Sequence, residues 1–241
     1  MTYALVDIGN TAIKAMIYGR DHTRESVVTV GNDDESLALF FKQLSLERIL
    51  VSSVVPSIDQ KIRLLKLSHI IFLTHDHFTD LRIHVEPSTS VGIDRLVNAV
   101  AVTHKWNANV VVIDIGTCIT FCRIKKEGDY LGGVIMPGFK MVRNALYYEA
   151  EQLPLIDFPD ASPDIIGHTT EAAMSSGVFY GAIDMINGMI HRLKKDDDKL
   201  SVVLTGGAPT SLLERVNYDV IELTLQFDGL EILYKKLMMS S

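Results

Sequence analysis

The sequence predicts an α/β fold built from two duplicated halves, and three observations predict it. The stretch VDIGNT (6–11) recurs as IDIGTC (113–118), each time a strand that ends in Asp and runs into a Gly-containing turn. The order of elements starts again near residue 109, strands first and helices after. The longest apolar runs, such as NVVVID (109–114), have strand length, and segments of helical spacing separate them. The expected domains are therefore 1–108 and 109–241.

The elements follow in order. TYALVDIG, NTAIKAMIYG and RESVVTVG are three strands, with turns at Gly9-Asn10 and Gly19-Arg20. DDESLALFFKQL (33–44) has helical spacing and an acidic first turn. ERILVSSVVP (47–56) is a strand closed by Pro56, SIDQKIRLLKL a short helix, HIIFLT a strand, and LRIHV (81–85) a short strand. GIDRLVNAVAVTHKW (92–106) is a helix with an apolar stripe at Leu96, Val97, Val100 and Ala101. In the second half NVVVIDIGTCITFCRI is a pair of strands and DYLGGVIM a third. MVRNALYYEAEQL (141–153) is a helix, and the segment 169–195 is a long helix with a Thr cap and a lysine-rich end. KLSVVLTGG is a strand, PTSLLERV a helix and DGLEILYKKLMM the last helix.

Composition excludes some classes of function. A net charge of −7 disfavours a nucleic-acid partner, because phosphate backbones attract basic surfaces. No apolar run reaches the ~18 residues of a membrane span, and no signal-peptide pattern opens the chain, so a cytoplasmic protein without a membrane partner is expected. Cys118 and Cys122, the two cysteines, are evenly spaced on one strand and read as reduced core residues. No second ligand pair accompanies them, as a zinc site would require.

A strand that ends in Asp before a Gly turn brings three chemical tools together. The Asp7 carboxylate can hold a hydrated Mg²⁺, which prefers few carboxylates and several waters. Gly9, after Ile8, lets backbone approach a ligand, and Asn10 and Thr11 can point N–H groups and hydroxyls at phosphate oxygens. Lys14, on the next strand, can add a point charge. Turn chemistry alone explains a single copy. Two copies at matching places form a clamp for a nucleoside triphosphate, and Gly206-Gly207 after VVLT offers a surface free of side chains for adenosine. These three elements in this order resemble the acetate and sugar kinase/Hsc70/actin superfamily. The resemblance implies two ribonuclease-H-like domains with the active site, and ATP, in the cleft between them.

GIDR (92–95) opens a helix. An acidic first-turn residue is ordinary there. Its functional reading is a general base, Asp94, that takes a hydroxyl proton as the oxygen attacks a γ-phosphate, beside an Arg95 that holds a substrate carboxylate. With GIDR between DIGNTAIK and DIGT, followed by GGVIMPG, GHTT and TGG, the chain resembles type III pantothenate kinase over nearly its full length. The resemblance implies phosphorylation of the terminal hydroxyl of pantothenate by ATP and Mg²⁺, the first step to coenzyme A, in a homodimer with composite sites. Asp7 to Lys14 would then form the first phosphate loop. Asp94 would be the proton acceptor, and Gly92, Ile93, Asp94 and Arg95 would contact pantothenate. Asp114 would coordinate a monovalent cation, K⁺ or NH₄⁺, and Thr117 would touch ATP. Thr170 would reach the partner subunit's pantothenate site.

Some positions depart from the pattern. The family's GKNT reads Gly167-His168-Thr169-Thr170, and its Tyr-x-x-Pro reads HVEP (84–87), with His84 in the tyrosine's place, or Val85 when counted back from GIDR. The pair His75-x-His77 lacks further ligands and reads as a loop. Two other readings share the sequence: an ATP-binding regulatory protein without phosphoryl transfer, and a kinase for another hydroxy acid. A regulator has no use for Asp94, Asp7 and Asp114 together.

Overall fold

The computed structural model describes residues 2–19, 21, 23–31, 33–43, 46–159 and 161–239. The expected turn residue Arg20 and the helix-end residue Leu44 lie outside the described residues. The chain opens with β1 (Tyr3–Ile8), β2 (Ile13–Tyr18) and β3 (Arg24–Val30), then α1 (Asp34–Gln43), β4 (Arg48–Ser53), α2 (Pro56–Leu64), β5 (Ile70–Phe72), β6 (Arg82–Ile83) and α3 (Ile93–Lys105). It continues with β7 (Val110–Ile115), β8 (Cys118–Ile124), β9 (Asp129–Pro137), α4 (Phe139–Glu149), α5 (Thr170–Asp196), β10 (Ser201–Gly206), α6 (Thr210–Leu213), β11 (Val220–Ile221) and α7 (Leu225–Met239). Two compact units result, one of residues 1–105, 127–130 and 224–241, the other of 106–126 and 131–223. The division is thus not a single cut in the sequence, because α7 returns to the first unit.

The first unit holds a five-stranded sheet in the order β3-β2-β1-β4-β5. The β1–β2 and β2–β3 pairs are antiparallel, and β1–β4 and β4–β5 are parallel. Central strand β1 reads as a near-continuous apolar run because both its faces are covered. Ala4, Val6 and Ile8 pack with Leu37 and Phe41 of α1 and Ile58 and Ile62 of α2. Strand alternation turns Tyr3, Leu5 and Asp7 to the opposite face. There the Tyr3 ring is stacked between Tyr18, at 4.4 Å, and Tyr234 of α7, at 4.0 Å. Helix α7 also carries Glu231, which pairs with Arg24 at 3.1 Å and accepts the Tyr18 hydroxyl at 3.0 Å.

The second sheet has six strands in the order β11-β10-β7-β8-β9-β6, with β7 antiparallel to β8 and parallel to β10, and β6 parallel to β9. Val111, Ile113 and Ile115 of β7 pack on Phe179, Ala182, Ile183, Ile186 and Ile190 of α5. Asp114 therefore lies on the face of β7 turned away from α5. Among the described residues no helix is long and apolar enough to cross a membrane.

Three boundaries differ from expectation. Strand β4 stops at Ser53, and Pro56 opens α2 instead of closing the strand. The first helical turn tolerates proline because its N–H has no partner there in any case. Helix α6 is a single turn, and α7 starts at Leu225, ahead of the apolar run that marked it. The two-residue strand β11 is too short to show a period.

Gly229 of α7 shows how closely the first unit is packed. A Cβ there would lie 2.2 Å from the Val97 carbonyl oxygen on α3. Gly229→Ala is expected to cost about 1–3 kcal/mol, the usual range for overpacking. Gly188→Ala, on α5 with nothing within 4 Å of the new methyl, is expected to gain about 0.5–1 kcal/mol. Urea unfolding of both variants checks the pair, and equal effects would contradict this account of the α3–α7 contact.

Candidate active site

The first unit gathers the ends of β1 and β4 with the starts of α3 and α7. Asp7 faces Lys14 of β2 and Ser52 of β4 in register. The Gly9 N–H donates to the Ala12 carbonyl at 3.0 Å and closes the turn, leaving Asn10, Thr11 and Lys14 exposed. The buried Ile8 offers its carbonyl to the Val54 N–H at 3.1 Å, which ties the turn to the end of β4. Gln226, the second residue of α7, donates from Nε2 to Asp7 Oδ1 and to Ser52 Oγ, both at 3.3 Å.

The Gly92–Arg95 segment adjoins the same strand end. A Cβ on Gly92 would lie 3.6 Å from Val54 Cγ1 and only 2.5 Å from Asp94 Oδ1. The carboxylate folds back over Gly92, so a side chain there would displace it. Asp94 Oδ1 accepts the Arg95 N–H at 2.8 Å. Burial pushes the Asp94 carboxyl above the usual carboxylate range, against the pull of that hydrogen bond and of the Arg95 charge. Ile93 is buried, and the Arg95 guanidinium lies 5.9 Å from the centre of the fully buried Tyr130 ring. The segment expected to be a plain loop with His75 and His77 contains a 3-10 turn, and His75 Nε2 sits 2.9 Å from the Val91 carbonyl, one residue before Gly92.

His84 is held away from a purely solvent role. Its Nε2 is 2.7 Å from Asp129 Oδ1, while Arg82 grips both oxygens of that carboxylate at 2.8 Å. The Arg82 guanidinium first, and His84 second, hold the Asp129 carboxyl down at about 2.

The second unit repeats the turn with different neighbours. Asp114 faces Thr120 of β8 and Thr205 of β10 in register. The Gly116 N–H donates to the Cys118 carbonyl at 3.0 Å, and the Gly138 N–H to the Thr117 carbonyl at 3.2 Å. Gly206 has a positive φ of 102°, and a Cβ there would sit 2.7 Å from Asp114 Oδ1. So Gly206 is required by its positive φ and by the Ile115 carbonyl oxygen, 2.4 Å from the Cβ position, whereas Gly207 has nothing within 4 Å of its Cβ position and is the open one of the pair. The cap of α5 is Thr169, whose hydroxyl accepts the Ala172 N–H at 3.1 Å. Thr170 follows as an exposed first helical residue. Cys122 is buried as expected, and the half-buried Cys118 points its Sγ at Met141 Sδ, 3.8 Å away.

Sequence reasoning missed Gln226, Ser52 and Asp59. Burial also pushes the Asp59 carboxyl of α2 up, opposed by a hydrogen bond with Ser53. Among the described residues no group of three or more His, Cys, Asp or Glu side chains is clustered to hold a metal ion. What the first unit offers is one carboxylate at an open turn with hydroxyls and a lysine, and a second, desolvated carboxylate beside an arginine. A set of this kind suits a phosphate-bearing ligand and removal of a proton.

Comparison with known proteins gives a consistent picture. The family model described as type III pantothenate kinase matches residues 4–192. A type III pantothenate kinase of Listeria innocua is 33% identical, with 96% of each chain covered. One from Exiguobacterium is 32% identical over 96% of this chain and 98% of its own. Among solved structures, a Campylobacter jejuni protein assigned to the Baf family of transcriptional activators has a TM-score of 0.64 at 24% identity, with 98% of each chain covered. A ROK family glucokinase of Streptomyces griseus, in complex with glucose and AMPPNP, has a TM-score of 0.56 at 11% identity, covering 98% of this chain and all of its own. These structural likenesses show the fold alone, an α/β architecture that the chain shares with both over 98% of its length.

The Asp94 environment makes a stability prediction. A carboxyl raised by burial favours the fold when protonated and opposes it when ionised. Asp94→Asn is therefore expected to raise the melting temperature at pH 7. The gain should shrink as the pH falls into the ordinary carboxylate range. A melting temperature lowered at pH 7 in a scanning-fluorimetry pH series would contradict this reading of Asp94.

Proposed function

The chain belongs to the type III pantothenate kinase family and phosphorylates pantothenate with ATP, the first step to coenzyme A; we propose that Asp94 is the base of that transfer and that Asp7 and Asp114 serve the nucleotide and its cations. The observation that carries the assignment is the desolvated Asp94 carboxylate, folded over Gly92 and placed with the Asp7 turn at the end of β4. Burial raises its proton affinity toward the working pH, which is what a general base needs. In the proposed reaction Asp94 takes the proton of the terminal hydroxyl as that oxygen attacks the γ-phosphorus. Arg95 pairs with the pantothenate carboxylate, with Gly92 and Ile93 shaping the pocket beside it. His84, in the place of the family's tyrosine, borders the same substrate and is aligned by Asp129. Asp7, Ile8, Gly9, Asn10, Thr11 and Lys14 receive phosphates, and Thr117, Gly206 and Gly207 serve ATP. The fold's task is positioning and charge neutralisation more than covalent chemistry.

The residues present fit both implied cations. Beside Asp7, the buried Oε1 of Gln226 has no hydrogen-bond partner among the described residues, a suitable acceptor for a water on a hydrated Mg²⁺. Around Asp114, the Cβ position of Gly116 is 3.8 Å from the Cys118 carbonyl oxygen and 3.9 Å from Asp114 Oδ1, carboxylate and backbone oxygens of the kind that suits K⁺ or NH₄⁺. When bound, these cations offset the charge of the triphosphate.

Three finer features belong to the same proposal. Apart from β6, which is added beyond β9, the two sheets share one strand order, third, second, first, fourth, fifth, each with its Asp turn between first and second, which supports two duplicated ribonuclease-H-like halves. Exposed Ile135, Met141, Tyr147, Tyr148, Leu155, Ile165 and Ile166 of the second unit favour a homodimer, in which Thr170 would reach the partner subunit's pantothenate. Small soluble substrates and the absence of a membrane-spanning helix among the described residues fit work in the cytoplasm.

A coupled ADP-release assay tests the reading. Pantothenate-dependent turnover is expected with ATP, Mg²⁺ and K⁺, and a large loss without a monovalent cation. Asp94→Asn should reduce kcat about 100-fold or more. The base must be ionised and its carboxyl is raised, so the acid limb of kcat/KM should lie above the ordinary carboxylate range. Full activity in Asp94→Asn would remove Asp94 as the base. Light scattering should give twice the chain mass, and a monomer at micromolar concentration would end the composite-site proposal.

A further inference from the structure

Gln226 lies outside every motif that marks the family resemblance, yet it touches the carboxylate at the heart of the first phosphate turn. Its amide has two donors and one acceptor. Nε2 is spent on Asp7 Oδ1 and Ser52 Oγ, both at 3.3 Å. The opposite amide orientation would set Oε1 against an ionised carboxylate, two acceptors face to face, so the orientation follows from chemistry. Oε1 is then a buried acceptor with no donor among the described residues. Buried acceptors in folded proteins almost always have a partner, and a conspicuous exception next to a ligand-binding group points to the ligand. The helix that carries it is packed on two sides. Gly229, one turn further along α7, packs on the Val97 carbonyl, and Tyr234 completes the stack on Tyr3, two strand positions from Leu5 and four from Asp7 on the same face of β1.

We propose that Gln226 is a positioning residue for the metal–nucleotide site: its N–H holds the Asp7 carboxylate in place, and its carbonyl accepts a hydrogen bond from water bound to the Mg²⁺ that accompanies ATP. The proposal rests on the reading that Asp7 faces Mg²⁺ and the triphosphate. It makes a specific claim about the C-terminal helix, which brings part of the nucleotide site from the far end of the chain. The amide orients Asp7 and leaves its negative charge undiminished, because a neutral donor adds no competing cation.

The test measures binding, apart from turnover. AMPPNP is titrated calorimetrically into wild type, Gln226→Met, Gln226→Asn and Asp7→Asn, once with Mg²⁺ and once with EDTA. Wild type should bind more tightly with Mg²⁺. Gln226→Met, similar in size but without the amide, should lose about tenfold or more of the Mg²⁺-dependent affinity, the range for outer-shell partners of a metal, and keep the affinity measured in EDTA. Gln226→Asn keeps the polar chemistry but not the reach and should show the same loss, which covers the case of a Met variant that folds poorly. The KM for pantothenate should stay unchanged while kcat/KM for ATP falls. Wild-type Mg²⁺ dependence in both Gln226 variants, with a loss in Asp7→Asn, overturns the role of Gln226 alone. Wild-type behaviour in all three variants overturns the Asp7 reading and this proposal with it.

Discussion

The contact of Gly229 with the Val97 carbonyl is the constraint on which the first unit's chemistry depends. It lets α7 lie directly against α3, and each helix carries a residue of the site near its start. Asp94 stands on α3 and Gln226 on α7. Moving the two helices apart by the width of one methyl group would shift both residues relative to Asp7 and the end of β4. Densely packed interiors transmit such shifts instead of absorbing them. The aromatic stack of Tyr18, Tyr3 and Tyr234 and the Arg24–Glu231 pair hold α7 from the side of the sheet, so the helix is fixed along two surfaces.

The two Asp turns share one local geometry and differ in their neighbours. Asp7 and Asp114 are both the next-to-last residue of a central strand, and both have a buried hydroxyl residue beside them on the parallel neighbour, Ser52 and Thr205. The first turn adds Lys14 in register and the Gln226 amide, both donors that suit phosphate and a carboxylate held for hydrated Mg²⁺. The second has Thr120 in place of the lysine and adds glycines and backbone carbonyls, a setting that suits a weakly hydrated monovalent ion. Asp94 has a third setting. It is desolvated, and burial outweighs the Arg95 N–H and the Arg95 charge; its raised proton affinity is the cost of burying a carboxylate and suits a base.

Much of this was legible in the sequence because it is local. The Asp-Gly turns announce themselves by turn chemistry, GIDR by its place at a helix start, and the strands of both sheets by their apolar runs. Contacts made at long range were not legible. Gln226 meets Asp7 across 219 positions, and nothing around Gln226 signals an acidic neighbour. His75 lies in a stretch that looks like a polar loop, and its bond to the Val91 carbonyl shows only once the 3-10 turn is formed. Gly206 and Gly207 looked equivalent, yet one is required by its positive φ and close packing and only the other is open. Pro56 misled because proline ends strands and starts helices alike.

The central claim is that Asp94 faces the hydroxyl that is phosphorylated. A crystal structure with pantothenate, Mg²⁺ and AMPPNP measures this directly. The account predicts the terminal hydroxyl oxygen within hydrogen-bond reach of the Asp94 carboxylate and the pantothenate carboxylate on Arg95. A bound pantothenate whose hydroxyl lies beside another group, with Asp94 turned away from it, would contradict the account.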